Sequence, residues 1–175
     1  MHADLFHFSE ESGIAKFEPR PPLEHPDQPA AVWAVDAEHA WTYLFPRDCP
    51  RILLWPIAST TMQDRERWLG QADSGRVACI EWSWLERLRS TTLYRYRMPA
   101  EAFQALESED VAWMFTSRDV LTPLAIERLH DLESALRDAG VELRLMPSLT
   151  PLRKAWASTM HVSGIRLRNA EGWDV

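Results

Sequence analysis

Two kinds of strand are written into this chain, and together they narrow its fold more than any other feature. Ile52-Leu53-Leu54-Trp55 and Val77-Ala78-Cys79-Ile80 are apolar at every position, which suits strands covered on both faces. Thr91-Thr92-Leu93-Tyr94-Arg95-Tyr96-Arg97-Met98 instead alternates, so one face packs while the other meets water. Further strand-like runs lie at 5–9, 30–36, 51–58, 76–82, 111–117, 141–146 and 163–168. The combination predicts an α+β fold: one domain over 1–175, with a mixed, largely antiparallel sheet and helices packed on it.

The strongest helix is expected over 123–139. Thr122 can cap it, Pro123 suits its first position and Gly140 can end it. Ala125, Leu129, Leu132 and Leu136 form its apolar stripe, with Glu133 and Arg137 paired on the polar side. Shorter helices are expected over 37–44, 100–106 and 150–158 and after Thr61. Between Phe17 and Pro29, five of the chain's 12 prolines enforce an extended connection.

Composition limits the function classes. With 175 residues the chain can bury roughly two-thirds of its unfolded surface. No apolar run approaches the ~20 residues of a membrane span, and His2, Asp4 and Glu10 do not follow the order of a signal peptide. A cytoplasmic protein is expected, with no membrane partner. A net charge of -7 repels duplex nucleic acid. Six glycines, none clustered, leave no dinucleotide or phosphate-loop fingerprint. The six histidines show no ligand spacing, so no metal is expected. Cys49 and Cys79 make neither a disulfide framework nor a zinc motif. Cys79 reads as a buried apolar residue, whereas Cys49 lies in a polar loop where a thiol could react. The oligomeric state has no signature.

The candidate site begins with Leu5-Phe6-His7-Phe8-Ser9. Strand alternation puts His7 and Ser9 on one face, with Phe6 and Phe8 on the other. His7 is open to two roles: contact with a ligand hydroxyl, or a structural bond to a backbone carbonyl. Trp33, Trp41 and Tyr43 follow in a strand–helix segment and offer flat surfaces. Together they suit a nucleotide-like small molecule. In Phe45-Pro46-Arg47-Asp48-Cys49-Pro50-Arg51, Arg47 and Arg51 can grip phosphate or carboxylate. An Arg47–Asp48 pair that fixes the turn is the other role open to that loop. Asp36, Glu38 and Asp48 are the carboxylates a hydrolase would need in the same cleft.

Leu5 to Glu10, Phe45 to Arg51 and Ser163-Gly164-Ile165-Arg166-Leu167-Arg168-Asn169-Ala170 resemble an uncharacterised bacterial family. More remotely, the first half resembles the ADP-ribosyltransferase superfamily, with its "His-Gly-Ser/Thr" strand followed by "Tyr-Phe-Ala…Tyr". That resemblance implies an ADP-ribosyltransferase-like fold binding NAD. His7 and Ser9 would hold ribose, Tyr43 would stack on the nicotinamide ring, and Trp33 would stand for the first tyrosine. Leu93 to Phe103 is similar to a later strand and turn. Phe8 replaces a small residue, however, and Val111-Ala112-Trp113-Met114-Phe115 carries no catalytic glutamate. Glu109 and Asp110 precede that run.

Overall fold

The computed structural model describes residues 4–21, 29–72, 75–108 and 111–173. His2, His25, Glu109 and Asp110, and the centre of the proline-rich connection, lie outside the described residues. The fold is α+β, in two compact units that each draw on separate stretches of chain. One comprises Met1–Leu44 and Thr92–His130, the other Phe45–Thr91 and Asp131–Val175.

The first unit is an antiparallel sheet. Its strands are β1 (Leu5–Ser9), β2 (Val32–Asp36), β5 (Leu93–Met98), β6 (Gln104–Ala105), β7 (Met114–Ser117) and β8 (Ala125–Leu129). They lie in the order β6-β7-β2-β1-β5-β8. In the register, Leu5 faces Met98, His7 faces Tyr96 and Phe8 faces Arg95. Leu5, Val32, Ala34, Tyr96, Met98 and Phe103 form the core on one face, closed by Phe17 and Leu121. The described prolines do hold an extended path, with Phe17 bridged to Leu121 and Arg20 to Ala31.

The second unit is mixed. Strands β3 (Arg51–Trp55), β4 (Arg76–Glu81), β9 (Val141–Met146) and β10 (His161–Ile165) lie in the order β10-β3-β4-β9, with β4 and β9 parallel. Ile52, Leu53, Leu54, Val77, Ala78, Cys79 and Ile80 are fully buried, as expected for strands covered on both faces. Helices α1 (Met62–Leu69), α2 (Leu85–Ser90) and α3 (Leu132–Asp138) accompany this sheet. Helix α1 follows Thr61 as expected, and Thr61 caps it, its hydroxyl accepting from the Asp64 amide at 3.2 Å.

The helix expected over 123–139 is two elements. Residues 125–129 form β8, and only 132–138 are helical. A spacing of four satisfies both the helical period and the two-residue period of a strand. Ala125 and Leu129 therefore share a strand face, while Leu132 and Leu136 share a helix face. The Leu124 amide donates to Arg97 O at 2.8 Å, drawing this stretch onto β5. Asp131, not Thr122, caps α3, accepting from the Ser134 amide at 2.9 Å. Gly140 does follow the helix with a positive φ of 70°. Glu133 and Arg137 do not pair as expected, because Glu133 takes Arg89 and Arg137 takes Asp138. The segments 37–44 and 150–158 contain 3-10 turns, at Ala40–Tyr43 and Thr150–Ala157. Over 100–106, a shorter 3-10 turn gives way to β6. Helix α2 lies beyond the strand end expected at 82.

Candidate functional site

His7 is held from below. Its Nδ1 donates to the Trp33 carbonyl at 2.8 Å, which places a proton on that nitrogen. The ring packs on Phe17 with centroids 4.8 Å apart. The chain itself covers this side of β1. Tyr96, fully buried opposite His7, donates its hydroxyl to Glu11 O at 2.7 Å and accepts from the Ile14 amide at 3.1 Å. Ser9 turns its Oγ to the Glu11 amide at 3.0 Å. His7 and Ser9 thus share a face, as expected, and the face is the packed one.

Tyr43 stands on the opposite face. Its ring lies 6.2 Å from Phe8 at an interplanar angle of 14°, and Phe8 points away from His7 by strand alternation. Trp33 is on that side too, since Val35, two residues on, pairs with Phe6. The expected meeting of His7 with Tyr43 and Trp33 around one hollow is therefore not formed: the sheet separates them. Phe6, Phe8, Trp33 and Tyr43 are all half-buried, and Arg95 lies over the Phe6 ring at 4.9 Å.

The same face carries a carboxylate that the sequence pattern concealed. Glu127 on β8 pairs with Arg95 on β5, which in turn faces Phe8 on β1. Arg95 Nε donates to Glu127 Oε2 at 2.9 Å, and its terminal NH2 donates to the same oxygen. A helix over 123–139 would have placed Glu127 elsewhere. Only the strand aligns carboxylate, guanidinium and aromatic ring in one row.

Asp36 makes a different arrangement. Its Oδ1 accepts the His39 amide and the His39 Nδ1 proton, both at 2.8 Å. The His39 ring stacks 5.3 Å from the buried Trp113. Asp36 thereby closes the turn after β2. Trp41 is buried in the following 3-10 turn, which leaves Trp33 and Tyr43 as the half-buried rings of that segment.

Arg47 belongs to the second unit. It is exposed, as is Asp48. Arg51, expected as its companion, is buried; it donates to Cys49 O at 3.0 Å and lies over the Phe45 ring at 5.1 Å. Cys49 is also buried, and burial pushes its thiol up to about 12 against the pull of the Arg51 charge. The reactive thiol expected there is instead a packed one. Among the described residues, no group of His, Cys, Asp and Glu could hold a metal ion, and no helix is long and apolar enough to cross a membrane.

Fold and site define an α+β protein whose six-stranded sheet carries half-buried aromatic rings on one face. The chain belongs to DUF6886, a family of unknown function, which it matches over residues 6–170. No curated protein and no solved structure matches it significantly, so no likeness to an ADP-ribosyltransferase comes from either comparison.

Proposed function

We propose that this chain binds a flat, nucleotide-like ligand of the NAD class on the aromatic face of its six-stranded sheet, without transferring ADP-ribose. One observation carries the reading: Phe8 and Tyr43 lie nearly parallel, 6.2 Å apart, on the face that bears Trp33 and the Arg95–Glu127 pair. A base or nicotinamide ring laid on Tyr43 or Trp33 buries its apolar surface and keeps its polar edges toward water. Such stacking contributes roughly 1–3 kcal/mol per ring, so weak binding, with a Kd on the order of 1 mM, is expected.

Transfer needs a carboxylate that can hold a ribose hydroxyl and stabilise an oxocarbenium-like state. Glu127 is on the right face, but two Arg95 donors converge on one of its oxygens. Its charge is therefore already compensated. In this reading His7 clasps β1 to β2 and does not touch the ligand.

Titration with NAD and ADP-ribose, followed by tryptophan fluorescence and calorimetry, tests the binding. Saturable binding that is lost in Trp33→Ala is expected. No response at millimolar ligand overturns the proposal. Incubation with labelled NAD is expected to leave the protein unlabelled, and covalent label would overturn the non-catalytic half.

A further inference from the structure

Resting on the reading of the aromatic face as an NAD-class site, we infer that it recognises the adenine half of the ligand, with Gln104 reading the base edge. Strand register carries the assignment. Trp33 on β2 pairs with Thr116 on β7, and Thr116 pairs with Gln104 on β6. Paired residues of neighbouring strands point to the same face. Gln104, Thr116 and Trp33 therefore form one row on the aromatic side, within the first unit. Neighbouring strands lie about 4.8 Å apart, so the Thr116 side chain flanks Trp33 and Gln104 stands one strand further out. In the strand order, β6 ends the sheet on that side.

The chemistry at this end of the row suits a neutral base. Trp33 and Thr116 are half-buried and Gln104 is exposed, which leaves all three within a ligand's reach. Among the described residues, neither the Thr116 hydroxyl nor the Gln104 amide is hydrogen-bonded to another group of the protein. Arg95, Arg97 and Glu127, which are charged and share the face, lie on β5 and β8 at the opposite end. A bicyclic purine covers the indole of Trp33 more fully than the single ring of nicotinamide does, and it carries no charge to keep hydrated. The glutamine amide offers an acceptor and a donor side by side in one plane. Adenine presents the complement on one edge: its N6 amino group donates to Oε1, and its N7 accepts from Nε2. Hypoxanthine has a carbonyl oxygen in place of that amino group, so two acceptors meet the amide and one bond is lost.

The test is calorimetric titration of the full chain with NAD and with nicotinamide hypoxanthine dinucleotide, which differs from NAD in the base alone. Wild type is expected to bind NAD about fivefold more tightly than the hypoxanthine analogue. Gln104→Ala, at an exposed position, should melt with the wild type and bind both ligands equally, as weakly as wild type binds the analogue. Gln104→Glu keeps the shape but turns the donor into an acceptor, and it should bind NAD no better than Gln104→Ala. Equal wild-type affinity for the two ligands overturns the inference and leaves the NAD-class reading standing. So does a preference for NAD that survives in both variants. Failure of wild type to bind either ligand overturns the inference together with the reading beneath it.

Discussion

Single residues settle what the polar groups of this chain do. Asp64 accepts from the Thr159 amide at 2.8 Å and from its hydroxyl at 2.7 Å, and these bonds hold its carboxyl below the ordinary value. A carboxylate with a lowered folded pKa stabilises above its unfolded pKa and loses that contribution as pH falls through the folded value. The melting temperature of wild type should therefore exceed that of Asp64→Ala near neutral pH, with the gap narrowing below about pH 4. A gap that stays constant down to strong acid would contradict this. Glu81 is another structural carboxylate. It is buried at the end of β4 and accepts from the Glu171 amide at 3.0 Å and the Leu149 amide at 3.3 Å. Glu81→Ala leaves both donors without that acceptor, and urea unfolding should show a loss of about 1–3 kcal/mol; Glu81→Gln should recover part of it. Neither residue stands out in the sequence, because their partners are 95 and up to 90 positions away. His7 was legible as a residue of two roles. The carbonyl that decides between them, that of Trp33, becomes visible only when β1 and β2 are side by side.

At the scale of elements, most strands were legible, but β6 and β8 lie in stretches expected to be helical. Continuous apolar runs gave β3 and β4, and strict alternation gave β5, because burial on two faces or one writes itself directly into the pattern. The stretch 123–139 misled because its four-residue spacing belongs to both periods, and tertiary pairing with β5 decided for a strand. The cap settles the point experimentally. Asp131→Ala should cost about 1 kcal/mol by removing the acceptor at the start of α3, whereas Thr122→Ala should leave stability nearly unchanged. Equal losses from the two substitutions would mean that the helix begins at 123. The correction also has a functional side, since the strand brings Glu127 to the row shared by Arg95 and Phe8.

For the whole molecule, the α+β class followed from the sequence, whereas the grouping of strands into two sheets did not. Strand order depends on pairings between residues far apart in the chain, such as Val32 with Ser117 and Arg76 with Val141, and periodicity within a strand cannot encode its neighbour. The candidate site was legible in the same partial way. Tyr43 and Trp33 do share a face with each other, but the sheet stands between them and His7. The bonds from Arg166 to Arg47 O and from Asn169 to Asp48 O were not legible either, because they join residues 119 and 121 positions apart. The most direct measurement is calorimetric titration with NAD of wild type, Tyr43→Ala and His7→Ala, each first shown by thermal melting to be folded. Binding that disappears in Tyr43→Ala and persists in His7→Ala is the predicted result; binding that instead depends on His7 and survives loss of Tyr43 would place the ligand on the other side of the sheet and contradict the account.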